Sequence, residues 1–285
     1  MQKPTKRLSS FDILSNAYHT WRTNLRPLVH ISLICLILPQ FAMQLLLSGA
    51  AFDASTALWD LTSQNNGEIL PALSSFLAAI QPFAFKFSVF WFLSGILFCI
   101  GYAALCHLFL IAGKNAERKV HIPLKELLIV GLKDTLKLFI LALLIQIIFV
   151  LAGQLPLFKI AAMVLCSVAP VVLIAERRGV FKSLLTSFTI KYADKSSQSG
   201  FSLFFSLAGS FAFIYLVFEL LFYLSGQIPY LDMSLGLSRS IFTSEIFKVL
   251  NILIDSSLLA VAITMVCAIT FSFYLQARKR LSQYL

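Results

Sequence analysis

The sequence predicts an all-α fold in the form of a polytopic transmembrane helical bundle. Apolar residues fill 59% of the 285 positions, including 27 Phe, whereas charged residues fill only 13%. One soluble domain cannot hide that much apolar surface, so lipid is expected to cover the rest. The apolar residues form continuous runs, which favours helices, because an open sheet would leave backbone groups unpaired in lipid.

Six of these runs are long enough to cross a hydrocarbon core, which takes about 20 helical residues. The predicted spans are residues 27–48, 87–111, 137–155, 157–175, 201–225 and 250–275. They would form three hairpins within a single membrane domain, residues 1–285. A separate re-entrant or interfacial helix is expected over residues 69–80, ending before Pro82.

The distribution of Lys and Arg predicts the orientation of the bundle. Nineteen of the 23 basic residues lie on one side of the predicted spans, and only Lys86, Lys159, Arg239 and Lys248 lie on the other. Positive charge favours the cytoplasmic side, so both chain ends are expected in the cytoplasm. The same clustering attributes the net charge of +10 to membrane orientation and argues against a nucleic-acid partner.

Each of the first three basic segments contains a stretch with an apolar stripe at helical spacing. The stripes are Phe11, Leu14, Tyr18, Trp21 and Leu25; Leu124, Leu127, Leu128 and Leu132; and Phe181, Leu184, Leu185, Phe188 and Tyr192. Ser9 and Asp12 have the spacing of a capping box at the start of the first. Helices of this kind lie in the membrane interface, which predicts three cytoplasmic interfacial helices. The alternative is a set of short solvated linkers.

The stretch from Ala169 to Phe188 contains Ala-Pro at the end of a span, an acidic-basic-Gly turn and two Ser four residues apart. It resembles a group of bacterial six-span membrane proteins that includes the glycerophosphodiester phosphodiesterase membrane domain and related inner-membrane families. The leader from Phe11 to Leu28 is similar to the start of those proteins. The resemblance implies a bacterial cytoplasmic (inner) membrane location and little about mechanism. No segment outside the spans is long enough for the phosphodiesterase domain of some relatives.

Two residues of this stretch have a structural interpretation of their own. Pro170 is expected to kink or end the fourth span, and Gly179 to allow the turn into the next helix.

The cysteines and histidines do not predict a metal site. All five Cys lie inside apolar runs and form no CxxC pattern, so they are interpreted as small core residues. The four His lack the spacing of metal ligands. No cofactor is predicted.

Glu219 and Asp255 are the acidic candidates for a functional site within the spans. Both lie near the predicted outer ends, where either could pair with Lys86, Lys159 or Lys248 instead of binding a substrate or proton. Ser202, Ser206 and Ser210 recur every four residues beside Gly209, which indicates a close-packing helix face rather than a nucleophile.

No catalytic set is recognisable, so the leading hypothesis is a non-enzymatic membrane scaffold or a factor that organises lipid or partner proteins. Its partners would be the bilayer and anionic lipid headgroups at the cytoplasmic face. The rival is a transporter or flippase of a small solute or lipid, supported by six spans with Glu219 and Asp255. An intramembrane enzyme is the third hypothesis.

Overall fold

The computed structural model describes residues 9–46, 69–114, 123–152, 156–190, 202–225 and 241–282, and every regular element in these ranges is helical. The elements are α1 (Ser10–Thr23), α2 (Leu25–Ser32) with a π-helical turn (Leu33–Ile37) and helical residues 38–46, α3 (Ile69–Lys114), α4 (Leu124–Ala152), α5 (Pro156–Cys166), α6 (Ala169–Glu176), α7 (Val180–Thr189), α8 (Ser202–Ser225) and α9 (Ile241–Ser282). The predicted all-α class is confirmed for these ranges. Residues 153–155, at the end of the third predicted span, lie outside them.

Five helices in the described part are long and apolar enough to cross a membrane, as in a multi-pass membrane protein. They are Leu25–Leu46, Ser88–Gly113, Leu124–Leu151, Leu203–Ser225 and Lys248–Lys279. Five of the six predicted runs coincide with them. The predicted span 157–175 is instead divided between α5 and α6, and α5, with 11 residues, is only about 16 Å long.

Proline explains the division of the fourth run. Ser167 and Val168 form a turn between α5 and α6, and Pro170 occupies the first turn of α6. Proline lacks the N–H that a continuous helix would bond to Cys166, so the helix ends and restarts. The predicted effect of Pro170 is therefore confirmed.

The turn from α6 into α7 differs from the prediction for Gly179. Gly179 has φ −70° and ψ 158°, which any residue adopts, and nothing lies within 4 Å of where its Cβ would be. Arg177 reverses the chain instead, with φ 50° and ψ 34° in the left-handed region. A left-handed residue of this kind is a common way to end a helix, although glycine is the usual choice.

Two predicted short helices are continuous with spans. The apolar stretch 69–80 does not end before Pro82, because α3 runs unbroken from Ile69 to Lys114. The second amphipathic stretch, from Leu124 to Leu132, forms the first turns of α4. Gly131 lies inside α4 without interrupting it. Its lack of a side chain lets α3 approach closely. A Cβ there would lie 2.7 Å from the carbonyl oxygen of Ile100.

α1 is a separate helix that packs on α8 and α9. Its predicted capping box is confirmed: Asp12 N donates to Ser9 Oγ at 3.1 Å, and Ser9 N donates to Asp12 Oδ2 at 3.2 Å. At its end, Trp21 Nε1 donates to Thr264 Oγ1 of α9 at 3.0 Å.

The serine face of α8 is where α1 makes its closest approach. Ser10 Oγ donates to the carbonyl oxygen of Ser206 at 2.9 Å, and a Cβ on Gly209 would lie 2.7 Å from Ser10 Oγ. The prediction of a close-packing face at Ser206, Gly209 and Ser210 is confirmed.

Long runs of buried side chains lie where α3 and α6 end, α4 begins and α9 ends. We call this the basic end, because Lys125, Arg178, Lys182 and Arg278 also lie there. Side chains at residues 103–109, 168–174 and 267–274 are largely buried, and the rings of Phe109 and Phe271 stack with centroids 6.0 Å apart. All five Cys are buried and unpaired by disulfides, as their interpretation as core residues predicts.

Candidate functional site

The short helix α7 buries two serines and leaves two large apolar residues exposed at the basic end. Ser183 and Ser187 are fully buried, and Ser187 Oγ donates to the carbonyl oxygen of Leu165 at 2.6 Å. Phe181 and Leu185 are 75% and 64% exposed. The predicted single apolar stripe is therefore divided between two faces of α7. Leu184, at 8% exposure, faces the protein, whereas Phe181 and Leu185 face away from it.

α1 divides its predicted stripe in the same way. The helix buries Ile13 and Ala17, with Leu14 and Trp21 packed against the core. Phe11 and Tyr18 remain exposed, as does Leu25, the first residue of α2. α1 thus turns part of its apolar stripe toward the bundle and leaves the rest exposed.

A buried carboxylate connects the corner between α6 and α7 to α9. The side chain of Glu176 is 8% exposed, and Arg278 Nη2 lies 2.5 Å from its Oε1 atom. Tyr274 donates its hydroxyl hydrogen to the same oxygen at 3.0 Å. Tyr274 and Arg278 are one helical turn apart, so both side chains reach the same side of α9.

Arg178 occupies the other side of Glu176. Its Nε atom lies 2.5 Å from Glu176 Oε2, and its Nη1 atom donates to Thr186 Oγ1 of α7 at 2.8 Å. The Nε atom does not meet the direction that a hydrogen bond requires, so Oε2 is buried with a charge partner but no hydrogen bond within the described residues. Two cations thus contact one carboxylate, so Glu176, Arg178 and Arg278 together carry a net positive charge. We call these three residues the arginine cluster.

The arginine cluster has open outer surfaces. Both arginine side chains are 41% exposed, although the carboxylate between them is buried. Arg177, Lys182 and Lys279 lie within four residues of them in the chain and are also exposed. The buried carboxylate thus fixes two arginine side chains that remain partly exposed, and each guanidinium group has more N–H donors than Glu176 can accept from.

A second polar contact at the basic end joins α3 to α4. His107 Nε2 lies 2.9 Å from Asp134 Oδ2, and both side chains are partly buried. It braces the two helices where α3 ends and α4 begins.

The two acids predicted as site candidates have different surroundings. Asp255 on α9 accepts a hydrogen bond from Ser225 Oγ at 2.6 Å, and Asn251 Nδ2 lies 3.4 Å from its other oxygen. Lys248 makes no ion pair with it in the described part of the chain, and the side chains of Lys86 and Lys159 lie outside that part. Glu219 is exposed on α8 with no hydrogen bond or ion pair among the described residues.

Sequence reasoning missed the arginine cluster because Tyr274 and Arg278 lie about a hundred residues after Glu176. A weak signal was present. Glu176 is the one acidic residue between Asp134 and Asp194, and two arginines follow it at once. A lone acid at the end of an apolar run, beside such cations, is a candidate for a buried ion pair.

The fold defines a helical protein of the multi-pass membrane class, with a packed, positively charged end. No protein-family model, curated protein or solved structure matches the chain.

Proposed function

We propose that the chain is a non-enzymatic membrane scaffold that organises anionic lipid at its basic end. The observation that carries this proposal is the outward face of α7. Phe181 and Leu185 are exposed beside Lys182, while small serines face the protein. Apolar side chains of this size gain about 1.5–3 kcal/mol each when they leave water. A headgroup layer, which offers acyl chains to the apolar residues and phosphate to the cations, satisfies both.

α1 supports the same proposal with a second outward row. Phe11 and Tyr18 are exposed on it with Arg22, and Leu25 and Arg26 are exposed at the start of α2. Because α1 is held by Ser10 and Trp21, this row has a fixed position relative to the bundle. Two anchored helices would thus present exposed apolar and basic residues to the membrane.

The membrane arrangement in this proposal has six crossings, with α5 and α6 together providing the fourth. It is supported by the apolar character of residues 161–176 and by the excess of Lys and Arg on one side. The basic end and both chain ends then face the cytoplasm of a bacterial cell, in its inner membrane, and each hairpin is preceded by an amphipathic stretch.

Spin-labelled lipids test the proposed function. The full chain is reconstituted in phosphatidylcholine vesicles that contain either a spin-labelled phosphatidylglycerol or a spin-labelled phosphatidylcholine. We expect the protein to restrict the motion of the anionic probe more than that of the neutral one, and we expect salt to reduce the difference. Equal restriction of the two probes would refute lipid organisation by charge.

Transport is the second candidate, and the contacts of Asp255 favour it. A carboxylate bonded to Ser225 and Asn251, without a cation among the described residues, lies between two apolar helices. Ionisable groups at membrane depth often mark an ion or proton path. Loss of solute or lipid movement in vesicles on Asp255→Asn, with the fold retained, would favour a transporter or flippase.

A further inference from the structure

We propose that Arg178 and Arg278 form a specific site for the phosphate group of an anionic lipid. The site would deepen the proposed function by placing one headgroup at a defined position, and it rests on that function. The geometry that points to it is the arginine cluster, in which one buried carboxylate holds two arginine side chains that are each 41% exposed.

The contacts of Glu176 position both arginines before any ligand arrives. Arg278 uses Nη2 toward Glu176, and Arg178 uses Nε toward Glu176 and Nη1 toward Thr186. A guanidinium group has five N–H donors, so each arginine retains donors for a second partner. Fixing long side chains in advance removes much of the entropy cost of binding.

The charge around these arginines fits an anion. Two arginines contact the one carboxylate, and three more cations, Arg177, Lys182 and Lys279, lie within four residues of them in the chain. Gly179 has no side chain to cap the start of α7, so the first N–H groups of this helix add positive potential beside Arg178. Arginine forks match phosphate geometry better than lysine does.

The exposed apolar residues identify the anion as a lipid rather than free phosphate. Phe181 follows Arg178 by three residues, and Leu185 lies one helical turn further along α7, both directed away from the protein. A soluble phosphate would leave them in water. The phosphate of a lipid would bind the guanidinium groups while its acyl chains cover the two side chains.

The test measures the apparent Kd of short-chain phosphatidylglycerol for the full chain in neutral detergent, with inorganic phosphate as the soluble probe. Two variants keep the ion pair between Arg178 and Glu176. Arg278→Lys keeps the charge but loses the fork, and Lys182→Gln removes one exposed cation outside the Glu176 contacts. Lys125→Gln, an exposed cation at the start of α4, is the matched control. Circular dichroism and melting temperature establish that each variant is folded.

We expect Arg278→Lys to weaken phosphatidylglycerol binding by about tenfold, which corresponds to roughly 1.4 kcal/mol. Lys182→Gln should weaken it less, and Lys125→Gln should not change it. Unchanged affinity in folded Arg278→Lys would overturn the site but leave the proposed function standing if wild-type protein still prefers anionic lipid. Equal affinity for inorganic phosphate would overturn the assignment to lipid. No preference for anionic over neutral lipid would refute both.

Discussion

Trp21 donates its indole hydrogen to Thr264, whose own hydroxyl donates to the carbonyl oxygen of Val261 at 2.8 Å. The hydroxyl is therefore satisfied without Trp21, whereas the indole N–H depends on Thr264 as its hydrogen-bond acceptor among the described residues. The Trp21–Thr264 hydrogen bond holds α1 against α9. Because only one of its partners has a second hydrogen bond in the described part of the chain, removing Trp21 and removing Thr264 should lower stability by different amounts.

Trp21→Phe should lower the free energy of unfolding by about 0.5–1.5 kcal/mol through the lost hydrogen bond. The packing that is lost with the smaller ring adds to this amount. Thr264→Val should lower the free energy of unfolding by more, about 1–3 kcal/mol, because it leaves the partly buried indole N–H of Trp21 without an acceptor. Adding Thr264→Val to Trp21→Phe should then cost little. Chemical unfolding in detergent measures all three variants, and additive effects would contradict this coupling.

Gly131 and Gly179 provide a matched pair for the packing of α3 and α4. Gly131→Ala would place a Cβ 2.7 Å from the carbonyl oxygen of Ile100, which is backbone and cannot rotate away. We expect a loss of about 1–3 kcal/mol of stability. Gly179→Ala meets nothing within 4 Å and should change stability by less than about 0.5 kcal/mol. Melting temperatures would contradict the packing if the two variants behaved alike.

The sequence predicted the helices with strong local signals and missed those features that depend on distant contacts. Residues 201–225 were placed within one residue of α8, because a long apolar run without proline has one helical solution in lipid. The stripe of α7 was assigned to one face, because hydropathy alone does not distinguish lipid from protein. Leu184 packs on the protein and Phe181 does not.

The prediction for Gly179 was wrong, and the arginine cluster was missed, for a related reason. A glycine after two arginines is a conventional turn signal, yet the left-handed residue is Arg177, which Glu176 and Arg178 flank with fixed contacts. Tertiary contacts can hold a residue in a conformation that local preference disfavours. The partner that completes the cluster, Arg278, comes from the end of the chain and has no local signature.

α7 offers a test of which face meets lipid. Phe181→Asp with Leu185→Asp should raise the water exposure of spin labels on α7 in vesicles, through the loss of roughly 1.5–3 kcal/mol of burial per side chain. Leu184→Asp should instead destabilise the protein by at least about 2 kcal/mol, because Leu184 is buried against the bundle. Similar stability losses for both variants would mean that Phe181 and Leu185 also contact protein.

The number of crossings can be tested with reporter fusions. Fusions after residues 65 and 235 should read outside, and those after 118, 195 and 285 inside, because of the one-sided distribution of Lys and Arg. A further pair, after residues 154 and 195, brackets α5 and α6. Opposite readings at these two positions would support six crossings, and the same reading would mean that α5 and α6 do not cross. An inside signal at residue 65 would reverse the proposed orientation.

Variants of Glu219 and Asp255 distinguish the scaffold hypothesis from the transporter hypothesis. Glu219 has no partner among the described residues, so Glu219→Gln should leave stability unchanged. Asp255→Asn should cost about 1 kcal/mol, because the short hydrogen bond from Ser225 loses its charge. If the protein is a scaffold, any deletion phenotype should follow folded yield in both variants, and Ser225→Ala should resemble Asp255→Asn. The measurements are yield, melting temperature and complementation of the deletion. A variant that is fully stable but cannot complement would move transport to first place, because neutralising a carboxylate removes its proton or ion binding and leaves its shape.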